Sequence, residues 1–385
     1  MRKLFSRALP LVALLLFALG APALAFHEGG VGYCAGCHLQ HGSDTQTGAP
    51  STGKYLTLGS DPSSTCLRCH SGLGPQSVLS TNGSALTPGG DFYWLKRTFT
   101  WTGGNSPDYS HGHNVVASDY GLIPDALNLT SPGGTYPSAS LSCISCHDPH
   151  GKIANNQNPA PISGSGSYGA AAPAGSAVGN YRLLGGVGYK GGVTGFSFTS
   201  PAPVAAAPSA SSTETDANHV AYGSGMSEWC ANCHAGYMPG GTVSHHSSGS
   251  SAKFTTADVT EYDQYLATGN LMGTAATSYF ALTPFETGAT DPTLLDPTGT
   301  GGPTTISNAM CLTCHRAHAS AFEDIGRWDL TIAFTGFLVN SHPDGATDGS
   351  TAQEKLYSYY NRDIATQFGS GQKPFCEKCH VGGTP

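Results

Sequence analysis

Across most of the 385 residues, apolar positions follow neither a helical nor a strand period. Regular signals are few and short. Thr351-Ala-Gln-Glu354 has the form of a capping box, followed by Leu356, Tyr359, Tyr360 and Ile364, with Gly369 as a stop. Residues 257–267 form a second predicted helix, entered from Thr256 and stopped by Gly269. Residues 92–101, rich in aromatics, are the best strand candidate. The Pro/Gly/Ala/Ser-rich stretches 155–179 and 201–212 read as surface loops.

The strongest apolar run, residues 8–20, follows Arg2, Lys3 and Arg7 and precedes Ala23-Leu24-Ala25. That is the form of a secretory signal over residues 1–25, too short and wrongly flanked for a membrane span. No Cys stands at the cleavage site to take a lipid. The next apolar run, 330–339, is broken by Thr and Gly. The expected mature chain, 26–385, is therefore one exported domain without membrane insertion.

Composition makes an ordinary core hard to build. Gly and Pro number 52 and 25, while charged residues are 11% of the chain. Such a chain buries too little apolar surface to offset its conformational entropy unaided. Cleavage after Ala25 removes three of 17 basic residues and no acidic one, leaving 14 against 25, a net charge of −11. With no basic patch, nucleic acid is excluded as a partner.

The twelve cysteines supply what is missing. All fall in Cys-x-x-Cys-His units: Cys34/Cys37/His38, Cys66/Cys69/His70, Cys143/Cys146/His147, Cys230/Cys233/His234, Cys311/Cys314/His315 and Cys376/Cys379/His380. Each unit has the spacing for covalent haem c: two thiols for the two porphyrin vinyl groups, then a His under the iron. A disulfide framework gives no reason for a His after every second Cys. Zinc sites do not require it either, and redox Cys-x-x-Cys motifs do not occur six times in one chain. Six haem c groups can then act as the core. The predicted fold is mostly irregular coil wrapped around a haem chain, with few short helices, some at the motifs, and minimal strand. The Tyr and Phe residues, those of 92–101 included, are expected to pack on haem faces.

Ten further histidines remain: His27, His41, His111, His113, His150, His219, His245, His246, His318 and His342. Six saturated irons need six of them. Motifs one, three and five have a second His three residues on: His41, His150 and His318. So short a link cannot pass round the porphyrin edge, so these three cannot ligate their own haem. Any iron they ligate belongs to a neighbouring haem. Saturated irons pass electrons and leave no position for substrate, so no enzyme is expected; two imidazoles favour a low potential.

Segments well away from the haem motifs carry a resemblance. FHEGGVGYCAGCH, LTPGGDFYWLKRTFTW, GHNVVASDY, PGGTYP, CISCHDPHGK, YRLLGGVGY, VAYGSGMSEWCANCH, LTPFETG and CLTCHRAHAS resemble the extracellular hexahaem c-type cytochromes that polymerise into electron-conducting filaments. The regions after His234, before Cys311 and over 327–374 match less well. The resemblance implies a largely coil fold and six bis-histidine haems, with distal ligands at His27, His41, His113, His150, His246 and His318. It leaves His111, His219 and His342 as surface residues. It also implies a homopolymer in which His41 ligates the fifth haem of the next subunit, with extracellular metal oxides or redox proteins as electron acceptors. A monomeric shuttle shares all these features except polymerisation. A multihaem reductase would need one open haem.

Overall fold

The computed structural model describes residues 36–38, 57–72, 76–149, 184–208, 213–243, 246–267, 269–330, 348–368 and 377–380. The signal segment, His27, Cys34, His41, His150, His245, His342, Cys376 and the loop at 155–179 lie outside them.

Among the described residues, regular structure comes only in short pieces. The α-helices are α1 (Pro62–His70), α2 (Cys143–Cys146), α3 (Met226–His234), α4 (Thr256–Gln264), α5 (Cys311–Cys314), α6 (Ala352–Ser358) and α7 (Ile364–Phe368). Two antiparallel ribbons complete the set. In one, β1 (Phe99–Trp101) sets Phe99 opposite Ser106 of β2 (Gly104–Ser106). In the other, β3 (Val204–Ala206) pairs with β4 (Ala221–Ser224) through a register shift at Val204/Ala205. The rest is turn and coil, as the composition predicts. No described helix is long and apolar enough to cross a membrane.

Four of the helices carry Cys-x-x-Cys-His units expected to attach haem: α1, α2, α3 and α5. A helical turn places residues three apart on one face, which presents both thiols of a motif to one edge of a macrocycle. Local chemistry starts these turns. Asp61 accepts from the Ser64 amide at 2.7 Å and Pro62 follows it at the first helical position.

Three expectations need correction. Residues 92–101 do not form one strand, because Phe92–Lys96 is a 3-10 turn and the strand begins only at Phe99. The buried Asp91 carboxylate gathers the amides of Ser80, Ala85 and Tyr93, which bends the chain where a strand would run straight. The capping box of α6 forms as expected, but the helix stops at Ser358 and resumes at Ile364. Tyr360 and Asn361 between them are left-handed, with φ of 58° and 62°. Tyr360 is drawn into the core, where its hydroxyl donates to Thr87 O at 2.6 Å and the Arg316 guanidinium lies 3.4 Å over its ring. The stretch 201–212 is not all surface loop, since β3 buries Ala205 and Ala206. A smaller shift is that Thr255, one residue earlier than expected, caps α4 through a reciprocal pair with Asp258.

The apolar residues form three clusters. The largest contains Leu67, Phe92, Trp94, Phe99, Leu282 and Phe322. A second joins Tyr222 and Met226 to Met310 and Leu312, at the helices α3 and α5. A third joins Phe254, Tyr262, Tyr279 and Phe285. Many aromatics meet edge to face, as in the run Tyr136–Phe196–Phe198–Trp229, with centroids 4.9, 5.9 and 5.8 Å apart. Part of the aromatic content thus packs on itself.

Candidate haem sites

Three pairs of histidines far apart in sequence face each other. His113 meets His234 with ring centres 6.1 Å apart, and His147 meets His318 at 6.2 Å. His246 meets His380 at 5.8 Å, with the two Nε2 atoms 3.5 Å apart. A metal–imidazole bond of about 2 Å on each side sets two ligating nitrogens roughly 4 Å apart, and ring centres roughly 6 Å apart. Each pair joins the His of one Cys-x-x-Cys-His unit to a His from elsewhere, so the residues present fit a bis-imidazole haem.

The ring tautomers fit too. Nδ1 faces a backbone carbonyl in His70 (Gln76 O, 3.0 Å), His113 (Ala317 O, 2.7 Å), His234 (Pro132 O, 2.8 Å), His246 (Ser247 O, 2.8 Å) and His315 (Asp324 O, 2.7 Å). A carbonyl can only accept, so Nδ1 carries the proton and Nε2 keeps the lone pair for iron. Loss of hydration, with His234 alongside, lowers His113 to about 4, which keeps it neutral as a ligand must be.

His113 and His318 sit on adjacent extended segments. His318 N–H donates to Gly89 O at 2.7 Å, and His318 O accepts from His113 N–H at 2.9 Å. Ala319 O accepts from Asp91 N–H at 3.1 Å. Residues 317–320 are therefore held between 89–91 and 111–113. The Gly-Gly of LTPGGDFYW makes the fit possible. A Cβ at Gly89 would lie 2.7 Å from the His318 ring, and one at Gly90, whose φ is +101°, would lie 1.9 Å from Ala319 O. Gly90→Ala is expected to displace His318 and lower the melting temperature by several degrees. A ferric spectrum with one iron changed from low spin would show the displacement.

The motifs fall into two alternating kinds. Motifs one, three and five read CHLQH, CHDPH and CHRAH, while two, four and six read CHSG, CHAG and CHVG. The structure repeats the distinction. In every odd motif the His pairs across an antiparallel bridge: His38 with Thr57, His147 with Leu184, His315 with Gly326. The next residue's amide donates to the second Cys carbonyl: Leu58 to Cys37, Gly185 to Cys146, Arg327 to Cys314, at 2.8–2.9 Å. A Ser three residues before the first Cys of an even motif ties it to an odd one. Ser63 Oγ accepts from Cys143 N–H at 3.1 Å, and Ser227 Oγ from Cys311 N–H at 3.0 Å. Cys66 and Cys143 lie within hydrogen-bond reach of each other, as do Cys230 and Cys311.

One cysteine of the motifs departs from the rest. Cys69 is exposed, whereas every other described cysteine is partly buried. The reason is its place on α1. Cys66 is covered where Cys143 of α2 approaches it, but Cys69 stands one turn later, at the helix's end. There the chain turns extended at Ser71, with φ −117° and ψ 105°, and the packing against α2 is left behind. The protein around the second motif therefore screens one thiol and leaves the other open.

The described cysteines form no disulfide, and no three potential ligands converge among the described residues as a zinc site requires. Two other histidines correct the sequence reading. His111 and His219, expected at the surface, are 0% and 3% exposed. His111 has the Ser106 hydroxyl at 2.7 Å from Nε2 and Trp94 O at 3.1 Å from Nδ1, so both ring nitrogens are satisfied in the core. His219 stacks on Tyr279 at 3.7 Å with Nδ1 against Asp216 O. Among the described residues, no imidazole lies opposite His315.

A buried charge group adjoins the fifth motif. Glu214 accepts from Arg316 at 2.8 Å and Arg327 at 3.1 Å, with all three side chains at most 1% exposed. Burial alone would push the Glu214 carboxyl up, but the two guanidinium charges hold it below its usual range. Among the described residues, Arg316 Nη2 and Arg327 Nη2 find no hydrogen-bond partner.

No family model matches the chain. The C-type cytochrome OmcS of Geobacter sulfurreducens is 39% identical over 431 aligned positions, covering 99% of this chain and all of that protein. Two solved structures agree. The Outer Membrane Cytochrome S filament of that organism matches at TM-score 0.74 and 37% identity, and its OmcS nanowires, solved by cryo-EM, at 0.77 and 38%. Each covers 93% of this chain and all of the matched one. With identity sustained over its whole length, and paired histidines and attachment helices in a largely coil fold, this chain belongs to the OmcS family of c-type cytochromes.

Proposed function

We propose that this protein is an electron-transfer cytochrome holding six covalent haem c groups, all bis-histidine, that polymerises head to tail into an extracellular conducting filament. Haem c supplies a one-electron iron couple when bound. The chain's part is to cap each iron, exclude water and set the spacing between sites. Cys69, though exposed, keeps its role here as the second thioether of the second haem, three residues from Cys66 and next to His70.

The observation that carries the reading is the regularity of the three imidazole pairs. The chain reads as three tandem two-haem units. Each has a leading His (His27, His113, His246), then a CHxxH motif, then a CHxG motif. In units two and three the leading His faces the CHxG histidine of its own unit, His113 to His234 and His246 to His380. The trailing His of unit three, His318, faces the CHxxH histidine of unit two, His147. Carried one unit back, the same rule assigns His27 to His70 and His150 to His38. Carried past the start of the chain, it assigns His41 to His315 of an adjoining subunit. That last step supports polymerisation, because a ligand passed along an unclosed series generates a filament. The signal segment at 1–25 supports export, and metal oxides or redox proteins outside the cell are the acceptors this reading implies.

The test is on secreted protein. Intact mass should show six haem additions, ferric spectra should be wholly low spin, and electron microscopy should show filaments. A high-spin iron that binds CO on reduction would instead support a multihaem reductase. A wholly low-spin monomer would support a soluble shuttle.

A further inference from the structure

The three CHxG motifs differ at the residue before the second Cys: Arg68, Asn232 and Lys378. Arg68 is half-buried and donates to Leu58 O at 3.1 Å. Asn232 is neutral and works locally, accepting from the Thr199 and Ser200 amides. Lys378 is the exception, at 2% exposure. Its Nζ lies 2.8 Å from Tyr262 O, 2.7 Å from Tyr265 O and 3.1 Å from Ser278 O, and 4.4 Å from the centre of the Tyr262 ring.

An ammonium has three donors and no acceptor, and here each donor has its own carbonyl. A neutral amine has only two donors and would set its lone pair against an oxygen. The geometry therefore calls for the charged form. Tyr262 and Tyr265 lie at the C-terminal end of α4, where unpaired carbonyls and the helix dipole favour a cation. No carboxylate makes an ion pair with Lys378 among the described residues, whose three partners are backbone carbonyls.

We propose that Lys378 is a positioning residue of the sixth haem site, whose buried ammonium locks the attachment loop to α4 and raises the potential of that one haem. This rests on the sixth motif carrying haem c, as the proposed function holds. Cys379 is the next residue and His380 the one after, so the charged side chain is anchored in the attachment loop itself. A fixed positive charge in a poorly hydrated setting favours the reduced iron, which carries one positive charge fewer. Asn232 brings no such charge to the fourth haem, and Arg68 is better solvated.

The experiment compares Lys378→Met and Lys378→Gln with Lys378→Arg in the full secreted protein, by intact mass and spectroelectrochemical titration. In a six-haem product of either neutral variant, one component of six should show its reduced-to-oxidised ratio fall about tenfold at a given potential, a midpoint ~59 mV lower for a one-electron couple. The other five should stay in place, and the Arg variant should match the parent. Six-haem neutral variants with unmoved components would overturn the proposal. Loss of the sixth haem from both neutral variants but not from the Arg variant would support the locking role, and loss from all three would overturn it. A parent protein without haem at Cys376 and Cys379 would instead sink the six-haem reading, so the two failures are distinguishable.

Discussion

His41→Ala is expected to yield a secreted protein with all six haems attached and no filaments. The substitution touches no thioether and no proximal ligand, so attachment should be complete by intact mass. His318 is paired with His147 within the chain, and no imidazole lies opposite His315 among the described residues, so in the proposed filament His315 takes the His41 of an adjoining subunit. The fifth iron of each subunit should then lose its sixth ligand. One haem in six should turn high spin in the ferric spectrum and become open to CO on reduction. Added imidazole should restore the low-spin signal without restoring filaments, because a free ligand caps the iron but joins nothing. That pairing of outcomes separates a ligand passed between subunits from a His41 that merely shapes a loop. Filaments of normal length from the variant would end the intersubunit assignment.

Much of this arrangement was legible in the sequence. The Cys-x-x-Cys-His units, the need for distal ligands and the coil-rich fold follow from spacing and composition. His318 is too close in sequence to His315 to reach round a porphyrin held by that motif, and its ring lies opposite His147. The partner itself could not be read, because 171 positions separate the two and only the packing of 317–320 between 89–91 and 111–113 brings them together. The alternation of CHxxH with CHxG was readable and would have exposed the three-unit plan. The unequal cover of Cys66 and Cys69 was not readable, since it depends on where α2 meets α1. His111 and His219 were misplaced because a lone polar residue is usually exposed. Their burial depends on carbonyl and hydroxyl partners that no local pattern announces. Lys378 and the Glu214 group were hidden for the same reason, as charged side chains are rarely buried unless paired.

Glu214→Gln is expected to destabilise the loaded protein by roughly 3–5 kcal/mol at neutral pH, the range for breaking a buried ion pair from one side. The carboxylate is the one anion hydrogen-bonded to both Arg316 and Arg327 among the described residues. Glutamine keeps the shape and one acceptor oxygen, so lost packing contributes little and lost charge contributes most. Arg316 follows the His315 ligand directly, and Arg327 donates to Leu312 O and His315 O of the same attachment loop. The damage should therefore appear as lower thermal stability together with a disturbed fifth haem. The pH dependence gives an independent check. The Glu214 carboxyl is held below its ordinary value, so its stabilising effect is complete above that value and fades as pH falls through the depressed one. Melting temperatures of parent and variant should accordingly converge in acid. A variant as stable as the parent at pH 7 would show that the Glu214 charge does not stabilise the two buried guanidinium groups.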